Sequence, residues 1–382
     1  MGELRPDRRT LKADFVLTGA GRLVTCAPAL GDGILGIIED GAAAALDGVI
    51  GWVGKTDDVR HEVELVPDAI EVDARGSAVV PGLVDCHTHL VFAGDRSDEF
   101  GARVRGQPYH AGGVASTVRA TRAASDEELR SLARARLDRF ASFGVTTVEA
   151  KSGYGLTPDQ ERRLLRIAAS LDHPVDVVRT FMGAHVVPPE NDAETYTEMV
   201  CEMMPAIGNL AEFCDVWCDR GAFAINDCRE ILRAARAAGL GVKVHAEQLD
   251  HTGGAALAAE FAAVSADHLE HATEEDALAL ARAKSVGVLL PGASMMTRAP
   301  FAPARMLIDN GVRVALSTDF NPGTSYSENL QLVVALACAH LGMTAEEAIL
   351  GITRHAAAAL SREGRIGSIE PMRPSRLSAA AA

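Results

Sequence analysis

Eight short β-rich apolar runs, each parted from the next by a stretch rich in Ala, Leu and Arg, constrain this chain more than any other feature. The runs begin at Ala78, Gly144, Val175, Phe213, Gly241, Val264, Val286 and Val312. Amphipathic helices are predicted near 126–143, 157–171, 192–208, 226–239, 253–262, 274–284, 302–310 and 327–341. Thr157-Pro158 supplies an N-cap with Pro at the first helical position, and Gly239 a C-terminal stop. Eight strand–helix units in about 260 residues have the count and size of a (β/α)8 barrel. A doubly wound sheet alternates too, but no glycine-rich phosphate fingerprint follows the early strands.

Before the first run, Phe15-Val-Leu-Thr, Gly33-Ile-Leu-Gly-Ile-Ile and Gly48-Val-Ile-Gly-Trp-Val lie between turn signals such as Leu46-Asp-Gly. They predict a small antiparallel β unit. Leu90 to about Thr121 reads as a long glycine-rich loop, functional or mobile, that holds Arg96, Tyr109 and Gly112-Gly113.

The 382 residues carry 37 Lys plus Arg against 52 Asp plus Glu, a net charge of −15, which disfavours nucleic acid as the main partner. With 48% apolar residues the chain is not wholly disordered, and no apolar run approaches the ~18 residues of a membrane span. Seven cysteines, an odd number, and a start without a charged and then apolar leader point to a cytoplasmic protein with reduced thiols. Met1-Gly2 meets only the opening of a myristoylation signal, because Pro6 stands where Ser or Thr is needed. Cys214 and Cys218 share one face of a strand and read as buried structural thiols, since no second pair completes a zinc knuckle.

In a barrel, catalytic groups come from the C-terminal ends of strands. Those ends carry Asp85-Cys-His87-Thr-His89, Glu149-Ala-Lys151, His185, Asp219, His245-Ala-Glu247-Gln248, Asp267-His268 and Thr318-Asp319-Phe-Asn321. Five of the 12 histidines fall there, a concentration that chance scatter does not produce. His87 and His89, two apart on extended backbone, project to one face. With His245 and Asp319 from other strands they form three imidazoles and a carboxylate, a set suited to Zn²⁺ or Fe²⁺ with a position left for water.

The segment Val80-Pro-Gly-Leu-Val-Asp-Cys-His-Thr-His-Leu resembles the first metal motif of the amidohydrolase superfamily. Within it, the chain is similar to the imidazolonepropionase family of ring-opening hydrolases. The likeness lies in His87-Thr-His-Leu-Val-Phe-Ala-Gly-Asp-Arg96, Lys151-Ser-Gly-Tyr154-Gly-Leu, Gly183-Ala-His185, Lys243-Val-His245-Ala-Glu-Gln248, Ser265-Ala-Asp-His268-Leu-Glu and Ser317-Thr-Asp319-Phe-Asn-Pro-Gly-Thr324. It covers about residues 75 to 360. The first and last segments are superfamily-wide, and those around Arg96, Tyr154 and His185 make it specific.

The resemblance implies a (β/α)8 TIM barrel over 81–362, with a small composite β-sandwich built from 1–80 and the carboxy-terminal residues 363–382. It implies one divalent metal, Zn²⁺ or iron as Fe²⁺ or Fe³⁺, held by His87, His89, His245 and Asp319. Asp319 would also shuttle the proton of the attacking water, and His268 would orient that water and stabilise the oxyanion. The implied substrate is 4-imidazolone-5-propanoate, opened to N-formimidoyl-glutamate. Arg96 offers a planar fork for its carboxylate, and Tyr154, Asn321, Gly323 and Thr324 are further implied contacts. His185 and Gln248 would lie against the ring. Glu149 and Lys151 also read as a simple strand-end ion pair.

Two absences bear on relatives. The fourth barrel strand, Phe213-Cys-Asp-Val-Trp-Cys218, has no Lys to bridge two metals, so one metal is expected. Ring deaminases of the superfamily place Glu three residues after the strand-five His, where this chain has Gln248. Amide Gln cannot shuttle a proton, and the role of adjacent Glu247 is open. Two other readings share the scaffold: another cyclic-amide hydrolase or deaminase, and an inactive copy that still binds metal or ligand. The family's chain continues into strands that complete the small domain, whereas this one ends soon after Gly367-Ser-Ile-Glu-Pro. The expectation is an incomplete small domain with a poorly ordered tail and an exposed strand edge. A small-molecule substrate is the expected partner, with no nucleic acid and no membrane; a homodimer is carried as the assembly.

Overall fold

The computed structural model describes residues 10–106, 113–373 and 377–378. Tyr109, Gly112, the Met1-Gly2 start and Ala379–Ala382 lie outside the described residues. The described chain divides into two compact units. One runs to Leu83 and resumes at Arg362; the other is Val84–Ser361.

The smaller unit is a sheet of β1 (Leu11–Val24), β2 (Ile37–Leu46), β3 (Val49–Lys55), β4 (Val63–Asp73), β5 (Ala78–Pro81) and the short strand Leu377–Ser378. Leu46 pairs with Val49 across a two-residue turn in which Asp47 and Gly48 both take positive φ, +50° and +73°. That backbone matches the twist of the flanking strands and suits Asp-Gly. The expected antiparallel unit is corrected to a mixed sheet: β1–β2 and β2–β3 are antiparallel, but β1 pairs β4 and β5 in parallel. Local turn signals do not report β4 and β5, which reach β1 by longer connections. Of the Gly33–Ile38 run, only Ile37 and Ile38 belong to a strand.

The carboxy-terminal return is engaged in this unit. Ile369 is buried with Leu17, Leu23, Ile50 and Val79. Ile50 exchanges backbone hydrogen bonds with Met372 and Arg373, both 2.7 Å, so the edge expected to lie bare has a partner there. Leu377 and Ser378 pair antiparallel with Pro81 and Val80.

The larger unit is an eight-stranded parallel sheet in chain order: β6 (Leu83–Asp85), β7 (Val145–Lys151), β8 (Asp176–Ala184), β9 (Phe213–Cys218), β10 (Gly241–Ala246), β11 (Ser265–His268), β12 (Val286–Leu289) and β13 (Val314–Leu316). Side chains stitch the seam between first and last strands. Asp85 accepts from Ser317 Oγ, from Thr318 Oγ1 at 2.7 Å and from Thr318 N at 3.1 Å. Beyond it, Thr88 bridges Phe320 in parallel register. The sheet is thus a nearly closed (β/α)8 barrel, and the seam brings His87 and Asp319 together.

Each of the eight anticipated helices is present. Thr157 accepts from Gln160 N with Pro158 at the first helical position, and Thr273 forms a capping box with Asp276. Gly239 follows its helix at φ +82°. The stretch anticipated as a single long loop contains two helices, Ser97–Val104 and Val114–Ala123. The second buries Val114, Thr117, Val118 and Thr121, a helical spacing masked by its Ser, Thr and Arg content. No helix of the described residues is long and apolar enough to cross a membrane.

Candidate active site

Strand alternation builds the site. On β7, Thr147, Glu149 and Lys151 share one face, on β9 Asp215 and Trp217, and on β10 Lys243 and His245. The intervening Val148, Ala150, Val216 and Val244 are buried on the other face. The polar set is bonded together. Lys243 Nζ is 2.7 Å from Glu149 Oε1, and Thr180 Oγ1 donates to that same oxygen at 2.5 Å. Glu149 and Lys151, legible as a strand-end pair, therefore belong to a larger buried network.

At the C-terminal ends, His87, His89, His245, His268 and Asp319 are all buried. Ligand atoms of His87, His245 and His268 lie within 4.8 Å of one another, and so do those of His87, His89 and Asp319. The two groups share His87, so five potential ligands converge on one place. His87 Nε2, His89 Nδ1, His245 Nδ1 and His268 Nδ1 are all buried without a hydrogen-bond partner. Orphaned imidazole nitrogens beside a carboxylate are a donor set that fits one divalent cation.

Carboxylates behind the histidines orient them. Asp267 Oδ2 is hydrogen-bonded to His87 Nδ1 at 2.6 Å, and Asp215 Oδ2 stands 3.1 Å from His245 Nδ1 as a charge contact out of hydrogen-bond alignment. Such partners set the tautomer and aim the other nitrogen at a metal. Burial would raise the Asp215 pKa, but the charges of His245 and Lys151 outweigh it and pull it far below the carboxylate range. Burial, with Lys151 adding to it, pushes the His87 pKa well down, which keeps the ring neutral. Burial opposes charge on His268 too, yet Glu270 reverses the balance and raises its pKa. Burial raises the Asp319 pKa, opposed chiefly by His268.

Backbone strain concentrates here. Glu247, His268 and Asp319 have positive φ of +55°, +81° and +52°. L-residues rarely adopt such values, and they gather where function fixes a side chain.

A cavity opens beside the ligands, lined by His89, Arg96, Val114, Tyr154, His185, Trp217, His245, Gln248, His268, Asp319, Asn321 and Thr324. All the sequence-predicted site residues except His87 and Gly323 line it. His87 lies behind it, and Gly323 lines a neighbouring cavity together with Arg96 and Thr324. Val114 and Trp217 were not anticipated. Trp217 could have been found as the inward residue level with His245, its register partner.

Arg96 is buried and ion-paired with Glu99 at 2.6 Å. A Cβ on Gly323 or Gly113 would collide with its guanidinium, so both glycines admit the side chain. His185 Nδ1 donates to Gly153 O at 2.9 Å, and its ring stacks on His89 at 5.2 Å. Burial lowers its pKa to about 3. Tyr154 packs 5.2 Å from His185. The loop carrying Tyr154 is held by the buried Glu161, which accepts from the backbone N–H of Gly153, Gly155 and Leu156 at 2.8–3.0 Å. Asn321 closes its own turn, accepting from Gly323 N and Thr324 N and donating to Asp319 O. Thr324 Oγ1 donates to Asp319 Oδ2 at 2.9 Å. Glu247 is turned from the cavity, its carboxylate accepting from Thr252 N at 2.6 Å and Ala255 N at 2.9 Å.

The profile described as "Amidohydrolase family" matches residues 102–372. Imidazolonepropionase of Symbiobacterium thermophilum is 48% identical over 375 residues, 94% of this chain and 88% of that one. That of Haloarcula marismortui is 47% identical over 371 residues, with the same two shares, 94% and 88%. That of Geobacillus kaustophilus is 47% identical over 350 residues, 88% of this chain and 82% of that one. Among solved structures, a zinc-bound adenosine deaminase from Xanthomonas campestris superposes with a TM-score of 0.71 at 18% identity, over 96% of this chain and 84% of that one. Guanine deaminase of E. coli gives 0.68 at 17%, over 94% and 87%. At these identities the two deaminases share the fold.

Proposed function

The chain belongs to the imidazolonepropionase family of the amidohydrolases, and on that premise we propose how its residues open the imidazolone ring. It hydrolyses the ring amide C–N bond of 4-imidazolone-5-propanoate to N-formimidoyl-glutamate, a step of histidine degradation. The observation that carries this reading to the site is that Arg96, suited to a carboxylate, lines the same cavity as His89, His245 and Asp319.

His87, His89, His245 and Asp319 would hold one Zn²⁺ or Fe²⁺. When bound, such an ion lowers the pKa of water toward ~7 and polarises a carbonyl. Arg96 receives the propanoate through a charge-assisted pair. His185, held neutral, and Gln248 face the ring, and Tyr154 packs at its side. Asp319, made more basic by burial, takes a proton from the attacking water and delivers it to the ring nitrogen as the C–N bond breaks. His268, whose proton Glu270 helps retain, stabilises the oxyanion. Asn321, Gly323 and Thr324 shape the turn that holds Asp319 and seats Arg96.

A deaminase reading finds no support in the cavity, where Gln248 stands and Glu247 is committed to backbone N–H groups. We also propose a cytoplasmic homodimer; light scattering tests the assembly. The deciding assay is turnover of imidazolone propionate with and without a chelator. Turnover that stops with chelator and returns with Zn²⁺ or Fe²⁺ is expected. Metal binding without turnover, or ammonia release from aromatic-ring amines, would refute the assignment.

A further inference from the structure

Beneath the site lies a set of buried charges that the mechanism above leaves unused. Lys151 Nζ is 2.5 Å from Asp215 Oδ2, 2.9 Å from Glu149 Oε2 and 3.5 Å from Asp267 Oδ2. The same Asp215 oxygen stands 3.1 Å from His245 Nδ1, and the same Asp267 oxygen 2.6 Å from His87 Nδ1. One ammonium thus touches both carboxylates that orient two of the proposed metal ligands. The geometry follows from the barrel: β7, β9 and β11 are alternate strands, whose inward side chains share a layer.

We propose that Lys151 is a positioning residue for the metal site, clamping Asp215 and Asp267 together so that Asp267 holds His87 Nδ1 by a hydrogen bond, Asp215 stays in charge contact with His245 Nδ1, and Nε2 of each ring is left for the cation. This rests on the ligand set proposed above and is independent of the substrate's identity. Oxygens of Asp215 and Asp267 lie within 4.8 Å of each other in a fully buried layer. Like charges that close repel strongly where water is excluded. Without the ammonium between them the two carboxylates separate, and each histidine loses the partner that aims it. Lys243, the neighbouring buried ammonium, makes its hydrogen bonds to Glu149 and the Cys86 carbonyl; its charge also acts on Asp267, but it contacts neither Asp215 nor Asp267 and so cannot clamp the pair.

The test compares Lys151→Met with Lys243→Met. Both variants are purified metal-free, checked for folding by circular dichroism and titrated with Zn²⁺ against a chromophoric chelator. Lys151→Met is expected to bind zinc about 10–100-fold more weakly than wild type, the usual effect of losing an outer-shell partner. Lys243→Met should lose less. Wild-type affinity in folded Lys151→Met, or equal losses in the two variants, would overturn the clamp. Should Lys151→Met not fold, nitrogen-15 NMR of the metal-free wild type decides: Nδ1–H tautomers on both His87 and His245 support the clamp, and an Nε2–H tautomer on either overturns it. Wild-type protein that binds no zinc sinks the metal reading as a whole. Zinc binding that Lys151→Met leaves intact sinks only the clamp.

Discussion

Asp267 Oδ2 lies 2.6 Å from His87 Nδ1, and on the other side of the same ring His87 Nε2 faces Asp319 Oδ1 at 3.5 Å. The proposed ligand is therefore aimed by a residue that would not itself touch the metal. Asp267→Ala should weaken metal binding by about 10–100-fold while the barrel stays folded. Elemental analysis after chelator competition, beside a thermal melt of metal-free protein, measures both. Metal retention equal to wild type would show that His87 needs no orienter.

Arg96→Ala should leave metal content unchanged and depress kcat/KM. A hydrogen bond to a charged group contributes about 1.5–3 kcal/mol, a factor of roughly 10–150. The loss should vanish for an imidazolone ring lacking the propanoate. Equal losses with both compounds would place Arg96 elsewhere in the reaction.

Gly323→Ala probes the same contact from the other side. The added methyl meets the Arg96 guanidinium, which cannot simply swing away because it is buried and tied to Glu99. The expected result is a KM raised about tenfold, for a loss of roughly 1.4 kcal/mol in binding, together with a lowered melting temperature because the crowded turn is strained in the folded state. An unchanged KM would mean that the turn gives way at no cost to the substrate.

His185 makes stability fall in acid. An unfolded imidazole takes up a proton near pH ~6.5, whereas the folded ring, disfavoured chiefly by burial, does so only at about 3. The unfolded chain binds more protons in that window, so this contribution is whole above about pH 6.5 and is lost as pH falls toward 3. At about pH 5 the loss is about 2 kcal/mol relative to neutral pH. Metal-free wild type should therefore lose more melting temperature than His185→Gln between about pH 7.5 and pH 5. Parallel curves would remove His185 as the cause.

Local pattern carried most of the architecture. The eight apolar runs and their intervening helices were legible because strand and helix periods differ and caps such as Thr157-Pro158 mark boundaries. The helix Val114–Ala123 was not, because Thr117 and Thr121 serve as buried positions yet read as polar. Parallel pairing of β1 with β4 and β5 was hidden for another reason. Residues 15 and 70 meet in register, and no local turn announces a contact of that range.

By itself, the sequence determined which groups stand at strand ends, since His87, His89, His245 and Asp319 follow directly from where apolar runs stop. It also determined that Gln rather than Glu occupies position 248. Only the tertiary structure decided that Lys151, Asp215 and Asp267 share a layer, that Glu247 turns away and that Glu161 holds the Tyr154 loop. These relations depend on barrel closure, which brings side chains from distant parts of the chain within hydrogen-bond reach. In a water-free interior each buried charge must find a partner, and the identity of that partner is a property of the closed sheet.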